Sequence, residues 1–381
     1  MMIHLSRRRI YGVDFPALQF QWGGGRRGFC NEPLGIRHFG VKSKNNLGTE
    51  GMDQETWKGN IDVEDIKITT ANDTWPTDVW HASIIDKSTH RDGAIYNTNW
   101  GFWGQGCPVN LADRTETALE LENFSKALPC YPDQENCMMH LPDEMIQIFS
   151  LMLAKTPINS GSIQLYGYLA VRDYMDGHLN YVFNRRRDNP VVVQQGSFIN
   201  MTGPRRGIIM LSEVLMEFDM RIKTGEKEED DLQLIDGLIN LDNRITRRPF
   251  TIRFNGSSGG AVDMCLTLMD RGMEAIIVVS ISELQSAFDL SLSSIVSVME
   301  DHKEIQLFHG AIGESCQKRF VVAVPVDTVM HLKFNVDKKG TDDDIVHLCS
   351  FDANQHKCAN RQIKFEAACI SVDVTVLPPL S

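Results

Sequence analysis

Apolar and polar positions take turns along the second half of this chain. Ile163, Leu165, Gly167, Leu169 and Val171 form one alternating row, Val191 and Val193 a shorter one, and Val214, Met216, Phe218, Met220 and Ile222 a third. A period of two puts successive side chains on opposite faces, so each row predicts a strand with one face buried and one wet. Further strands are expected at 147–153, 181–183, 251–254, 261–269, 273–282, 288–295, 305–309 and 319–324. The plainest come last: Met330, Leu332, Phe334 and Val336, then 346–351, then Ile370, Val372, Val374 and Val376. Asp176-Gly177 and the 201–207 stretch, with two glycines and a proline, read as turns. Many short strands without intervening helices of ~10–15 residues predict an all-β antiparallel sandwich, or a partly closed barrel, around one interior.

The first part of the chain reads differently. All six tryptophans lie before residue 104, and Pro129, Pro132 and Pro142 mark a junction. Three regions are therefore expected: a basic, poorly ordered tail over 1–46, a tryptophan-containing, weakly structured extension over 47–143, and an all-β domain over 144–378. A short helix is expected over 115–128, with acids near its start. The basic tail (Arg7, Arg8, Arg9, Arg26, Arg27, Arg37, Lys42 and Lys44 against Asp14 and Glu32) also leaves organelle targeting open.

Composition narrows the function classes. A hydrophobic fraction of 42% supplies ample core material, and a net charge of -12 disfavours bulk nucleic acid as a partner, because phosphate binding runs on Lys and Arg. No apolar stretch reaches the ~18–20 residues that cross a bilayer, so an intracellular, cytoplasmic protein with a protein partner is expected. Nine cysteines at irregular spacing read as reduced thiols, and the sequons at Asn72, Asn123, Asn200 and Asn255 as chance matches.

Beyond periodicity, the strings YGYLAVRD at 166–173, NYVFNRRRDNP at 180–190, MTGPRRG at 201–207, EFDMRIK at 217–223, EDDLQLIDG at 229–237, EIQLFHG at 304–310 and VMHLKF at 329–334 resemble a grass family catalogued as domain of unknown function 6598. The resemblance spans about 145–377. It implies no established activity. Some members look like C-terminal appendages to jasmonate-induced ribosome-inactivating proteins, rRNA N-glycosidases whose catalytic helix pairs a Glu with an Arg three positions on. The nearest string here is Glu366-Ala-Ala-Cys369, in which cysteine stands where that arginine would be, so the activity does not carry over.

Candidate chemistry is sparse. His347, Cys349, His356 and Cys358 have metal-ligand types, and a hairpin could gather them into a Cys2His2 set, but the spacing matches no familiar zinc pattern and thiols in a hairpin are the adopted reading. No cofactor is expected. The 255–260 stretch formally contains Gly-x-Ser-x-Gly with Ser258 central, but no helix follows it, so a hairpin loop is expected. Arg185, Arg186, Arg187, Arg205 and Arg206 stand near turns and would form a cationic rim for a partner if adjacent; the alternative is that each answers a local acid. Asp173, Asp176, Asp188, Glu217 and Asp219 supply carboxylates with no spacing that sets a catalytic pair. Trp100 and Trp103 either dock on the sheet or bind a partner.

Overall fold

The computed structural model describes residues 6–10, 13–17, 68–69, 79–97, 109–118, 141–158, 161–337, 345–354 and 358–379. It divides into two units, Met1–Lys58 and Gly59–Ser381. In the first, strands β1 (Ser6–Ile10) and β2 (Val13–Ala17) pair as an antiparallel hairpin.

The second unit opens with β3 (Ile68–Thr69), β4 (Val79–His81) and the single-turn α1 (Ala94–Asn97). There follow β5 (Asp143–Lys155), β6 (Ser162–Arg172), β7 (Asn180–Arg185), β8 (Val191–Gln194), β9 (Phe198–Ile199), β10 (Ile208–Ile209), β11 (Glu213–Ile222), β12 (Leu232–Asp242) and β13 (Phe250–Asn255). The last group is β14 (Ala261–Ser282), β15 (Phe288–Val298), β16 (Asp301–Ile312), β17 (Cys316–Pro325), β18 (Val329–Asp337), β19 (Ile345–Asp352), β20 (Cys358–Lys364) and β21 (Cys369–Leu377). The predicted all-β, mainly antiparallel architecture is what these strands build, and among the described residues no sheet closes into a barrel. Only β4 on β13 and β3 on β16 pair in parallel among the described strands.

The 22-residue β14 organises the unit. Its first part pairs with β5 and β13, its second with β17 and β21, and the register against β5 shifts between Met269 and Gly272. At that point Asp270 and Arg271 are exposed, and Arg271 has a φ of 49°. The sequence suggested two strands here; the polar pair is instead a bulge inside one strand, which bends without ending.

The bend separates two interiors where the pattern predicted one. The sheet β12-β11-β6-β7, with β8 beside β6, packs on the first part of β14 and its neighbours; Phe218 and Phe254 meet across this interior at 4.9 Å between ring centroids. The sheet β19-β18-β15-β16-β3 packs on the second part of β14 with β17 and β21, burying Leu292, Phe334, Ile277 and Val372. Burying an aliphatic or aromatic side chain contributes about 1.5–3 kcal/mol, so each interior is a substantial core in its own right.

The segments 79–97 and 109–118 belong to the folded unit. Ile95, Val109 and Leu111 are buried in the first interior, and Ile85 N–H donates to Leu238 O. Residues 115–118 are extended, with Thr117 N–H on Leu179 O and Leu179 N–H on Thr115 O, so the helix expected from 115 does not start there; 119–128 lie outside the described residues.

Candidate functional site

Within β11 the apolar row faces the interior and leaves Glu217 on the opposite face, where an ordinary one-sided sheet would leave it wet. Here that face is covered by the segments 79–97 and 109–118, and Glu217 is completely buried. Arg172 Nε on neighbouring β6 donates to Glu217 Oε2 at 2.9 Å, and Tyr168 Oη to Oε1 at 2.7 Å. Arg114 makes a short ion pair with Oε1 and lies 4.5 Å over the Tyr168 ring. His90 Nε2 is 3.1 Å from Glu217 Oε1 and 2.8 Å from Tyr168 Oη, while its Nδ1 sits 2.6 Å from Asp236 Oδ1 on β12. Arg172 is fully buried too, and its remaining nitrogens donate to the carbonyls of Gly177 and Asp113.

The electrostatics follow from this packing. Burial alone would raise the Glu217 carboxyl, but the His90 hydrogen bond, the Arg172 charge, the Tyr168 hydroxyl and the Arg114 charge outweigh it and hold it down to about 2. Burial alone would lower His90; hydrogen bonds and charge from Asp236 and Glu217 carry it up to about 9. Burial and the neighbouring Glu217 charge push the Tyr168 phenol up. At neutral pH the group is thus a fixed array of carboxylates, guanidinium groups and imidazolium joined by a neutral phenol.

Two more buried carboxylates fasten loops nearby. Arg206 grips Asp173 with both terminal nitrogens at 2.8 and 2.6 Å and donates from Nε to Thr117 Oγ1 at 3.0 Å. Asp231 takes Arg187 Nε at 2.6 Å, Tyr166 Oη at 2.7 Å and the Thr224 amide at 3.0 Å. Its burial acts to raise its carboxyl, yet Arg187 and Tyr166 hold it well below the carboxylate range.

The structure accordingly disperses the five arginines. Arg206 is buried on Asp173, Arg187 is bound to Asp231, and Arg205 pairs with Glu116 at 2.7 Å. Arg185 is half-buried and Arg186 exposed. His347 stands on β19 with its ring against Phe365 at 4.8 Å, Cys349 is half-buried two positions on, and Cys358 is exposed on β20, in a different sheet. Burial pushes Cys349 up and His347 down. His356 lies outside the described residues, and among those described no three His, Cys, Asp or Glu residues form a metal-binding group. Ser258 sits in the exposed turn joining antiparallel β13 and β14. Trp100 and Trp103 fall outside the described residues. His90, Arg114 and Tyr168 had no distinguishing sequence signal, since their contacts bridge 127, 103 and 49 positions to Glu217.

Against known families, residues 145–376 match the model described as Domain of unknown function (DUF6598). The chain belongs to the DUF6598 family. The DUF6598 span contains Glu217, Arg172, Tyr168 and Asp236, whereas His90 and Arg114 precede it. No curated protein matches the chain. Among solved structures, human GIVD cytosolic phospholipase A2 in complex with methyl gamma-linolenyl fluorophosphonate inhibitor and terbium chloride is similar over 63% of this chain and 33% of its own, at 9% identity and a TM-score of 0.22. The calcium-bound pair of C2 domains of extended-synaptotagmin 2 is similar over 63% of this chain and 99% of its own, at 9% identity and a TM-score of 0.19. The chain thus spans about a third of the phospholipase's length, and likeness this distant assigns neither a site nor an activity.

Proposed function

We propose that this DUF6598 protein is a non-enzymatic β-sandwich interaction module whose partner is another protein. The observation that carries the reading is the state of the Glu217 group. Acid–base catalysis favours groups that exchange a proton near working pH, whereas here the carboxyl is held at about 2 and the imidazole at about 9. Each of these groups is also engaged by its neighbours, and the whole serves to fasten the segments 79–97 and 109–118 to the sheet. The acidic balance of the chain supports a protein partner over bulk nucleic acid. A stress or defence setting rests on the family resemblance alone. The test is adenine release from ribosomes incubated with the purified chain, alongside crosslinked partner capture by wild type and by Arg185→Glu/Arg186→Glu. The expected result is no adenine release and a captured protein lost with the charge reversal. Stoichiometric adenine release would overturn the reading.

A further inference from the structure

β19 leaves a strand edge open without the protection seen on other edges of this fold. It pairs with β18 along one side, and among the described residues no strand lies along the other. An open edge presents a row of backbone N–H and C=O groups that another chain can pair with, and folded proteins blunt it with charges, prolines, short strands or a covering group. Such devices stand elsewhere: β20 carries exposed Arg361 and Lys364, β4 has only three residues, and on β17 the Gln147 side chain takes the Ala323 N–H at 2.7 Å. The run 345–351 of β19 holds no charged residue, proline or glycine, and Ile345 and Val346 are 41% and 45% exposed. Burial pushes the His347 imidazole down and the Cys349 thiol up, so the run is uncharged at neutral pH. Uncharged, β-prone runs of this length are those that pair edge to edge.

We propose that this edge binds a second copy of the chain, β19 pairing antiparallel with its own counterpart about a two-fold axis. Such a pair keeps each face of the sheet on its own side, so inward-looking side chains of one copy meet inward-looking ones of the other. It also sets one residue opposite its own copy, because bonded and non-bonded pairs alternate along an antiparallel ladder. Centring on Cys349 places Leu348 opposite Ser350, His347 opposite Phe351 and Val346 opposite Asp352, with no like charges facing. Centring on Leu348 would instead set Asp352 against Asp344, and like charges directly opposite are destabilising. The same strand thus supplies both sides of the ladder without a charge conflict, which favours self-pairing over an unrelated strand. This edge is separate from the Arg185-Arg186 turn, so the inference does not rest on the partner proposed above.

The test is sedimentation equilibrium of the full chain across the micromolar range, with Val346→Glu and Val346→Lys beside the wild type. The wild-type mass is expected to rise from 43.0 kDa towards twice that value. In this register Val346 faces Asp352 of the other copy, twice per dimer. Val346→Glu then opposes like charges and Val346→Lys opposite ones, so the glutamate variant is expected to dissociate with a Kd roughly tenfold or more above that of the lysine variant. Both remove the same exposed apolar side chain, so loss of hydrophobic contact alone moves the two equally. A wild-type chain that stays monomeric, which would leave the edge to a different partner, overturns the proposal. So does equal dissociation of the two variants, or association undiminished by Val346→Glu.

Discussion

Replacing His90 with Gln tests the charged group directly, because its contribution has a defined pH window. The side chain is only 5% exposed, and its pKa rises from 6.5 to about 9 in the folded chain. A folded-state pKa above the unfolded one means that folding binds the proton more tightly. The stabilisation is therefore complete below about 6.5 and drains away as pH climbs through about 9. At about 1.36 kcal/mol per unit, the shift corresponds to about 3 kcal/mol between the two ends of that window. Urea denaturation followed by far-ultraviolet circular dichroism, at about pH 6 and about pH 9.5, gives the difference between wild type and His90→Gln at each pH. Taking that difference cancels the other groups that titrate over the range. It is expected to shrink by about 3 kcal/mol from the lower to the higher pH. A difference that stays constant across the window would refute the assignment of His90 as a protonated link between Glu217 and Asp236.

Arg206→Met strands the buried Asp173 carboxylate without its counter-charge and is expected to cost about 3–5 kcal/mol in urea unfolding. Gly167→Ala is expected to destabilise by at least about 1–3 kcal/mol, since Gly167 has a φ of 103° and a Cβ there would strike the Asp219 carbonyl; differential scanning calorimetry reads it as a lowered Tm. Iodoacetamide at mildly alkaline pH is expected to modify exposed Cys358 well before buried Cys265, whose thiol burial pushes up to about 12; peptide mass spectrometry at short times gives the order.

Strands whose alternate positions carry polar side chains wrote their pattern into the sequence, which is why β6, β11, β18 and β21 are visible as alternating rows even though the polar face of β11 is itself largely covered. β12 escapes that reading because both of its faces are covered: Leu234, Ile235, Leu238 and Ile239 are all buried, and Gly237 lies against Ile84 and Ser88 from the preceding segment. With apolar residues on both of its faces, β12 has no regular polar alternate to betray its period. β20 escapes for the opposite reason, with only Ile363 buried among its exposed and half-exposed positions. The Glu217 group was half legible. The carboxylate stands in a readable strand, but alternation alone assigns it to solvent, and of the cations that remove it from water only Arg172 lies in a readable strand, while His90 and Arg114 arrive from a region with no period of its own. In the arginine row at 185–187, neighbours in a turn diverge, sending Arg187 to Asp231 while Arg186 stays exposed.

The continuous strand Ala261–Ser282 carries a mechanical consequence. No hinge or linker separates the halves that share it, so tension or unfolding on one side is transmitted through an unbroken backbone to the other. Cleavage at the Asp270-Arg271 kink would leave Ala261–Met269 paired with β5 and β13 in one fragment and Gly272–Ser282 paired with β17 and β21 in the other, and would remove only the covalent link between the halves. The shared backbone of one strand is therefore what couples two otherwise separate hearts of apolar side chains.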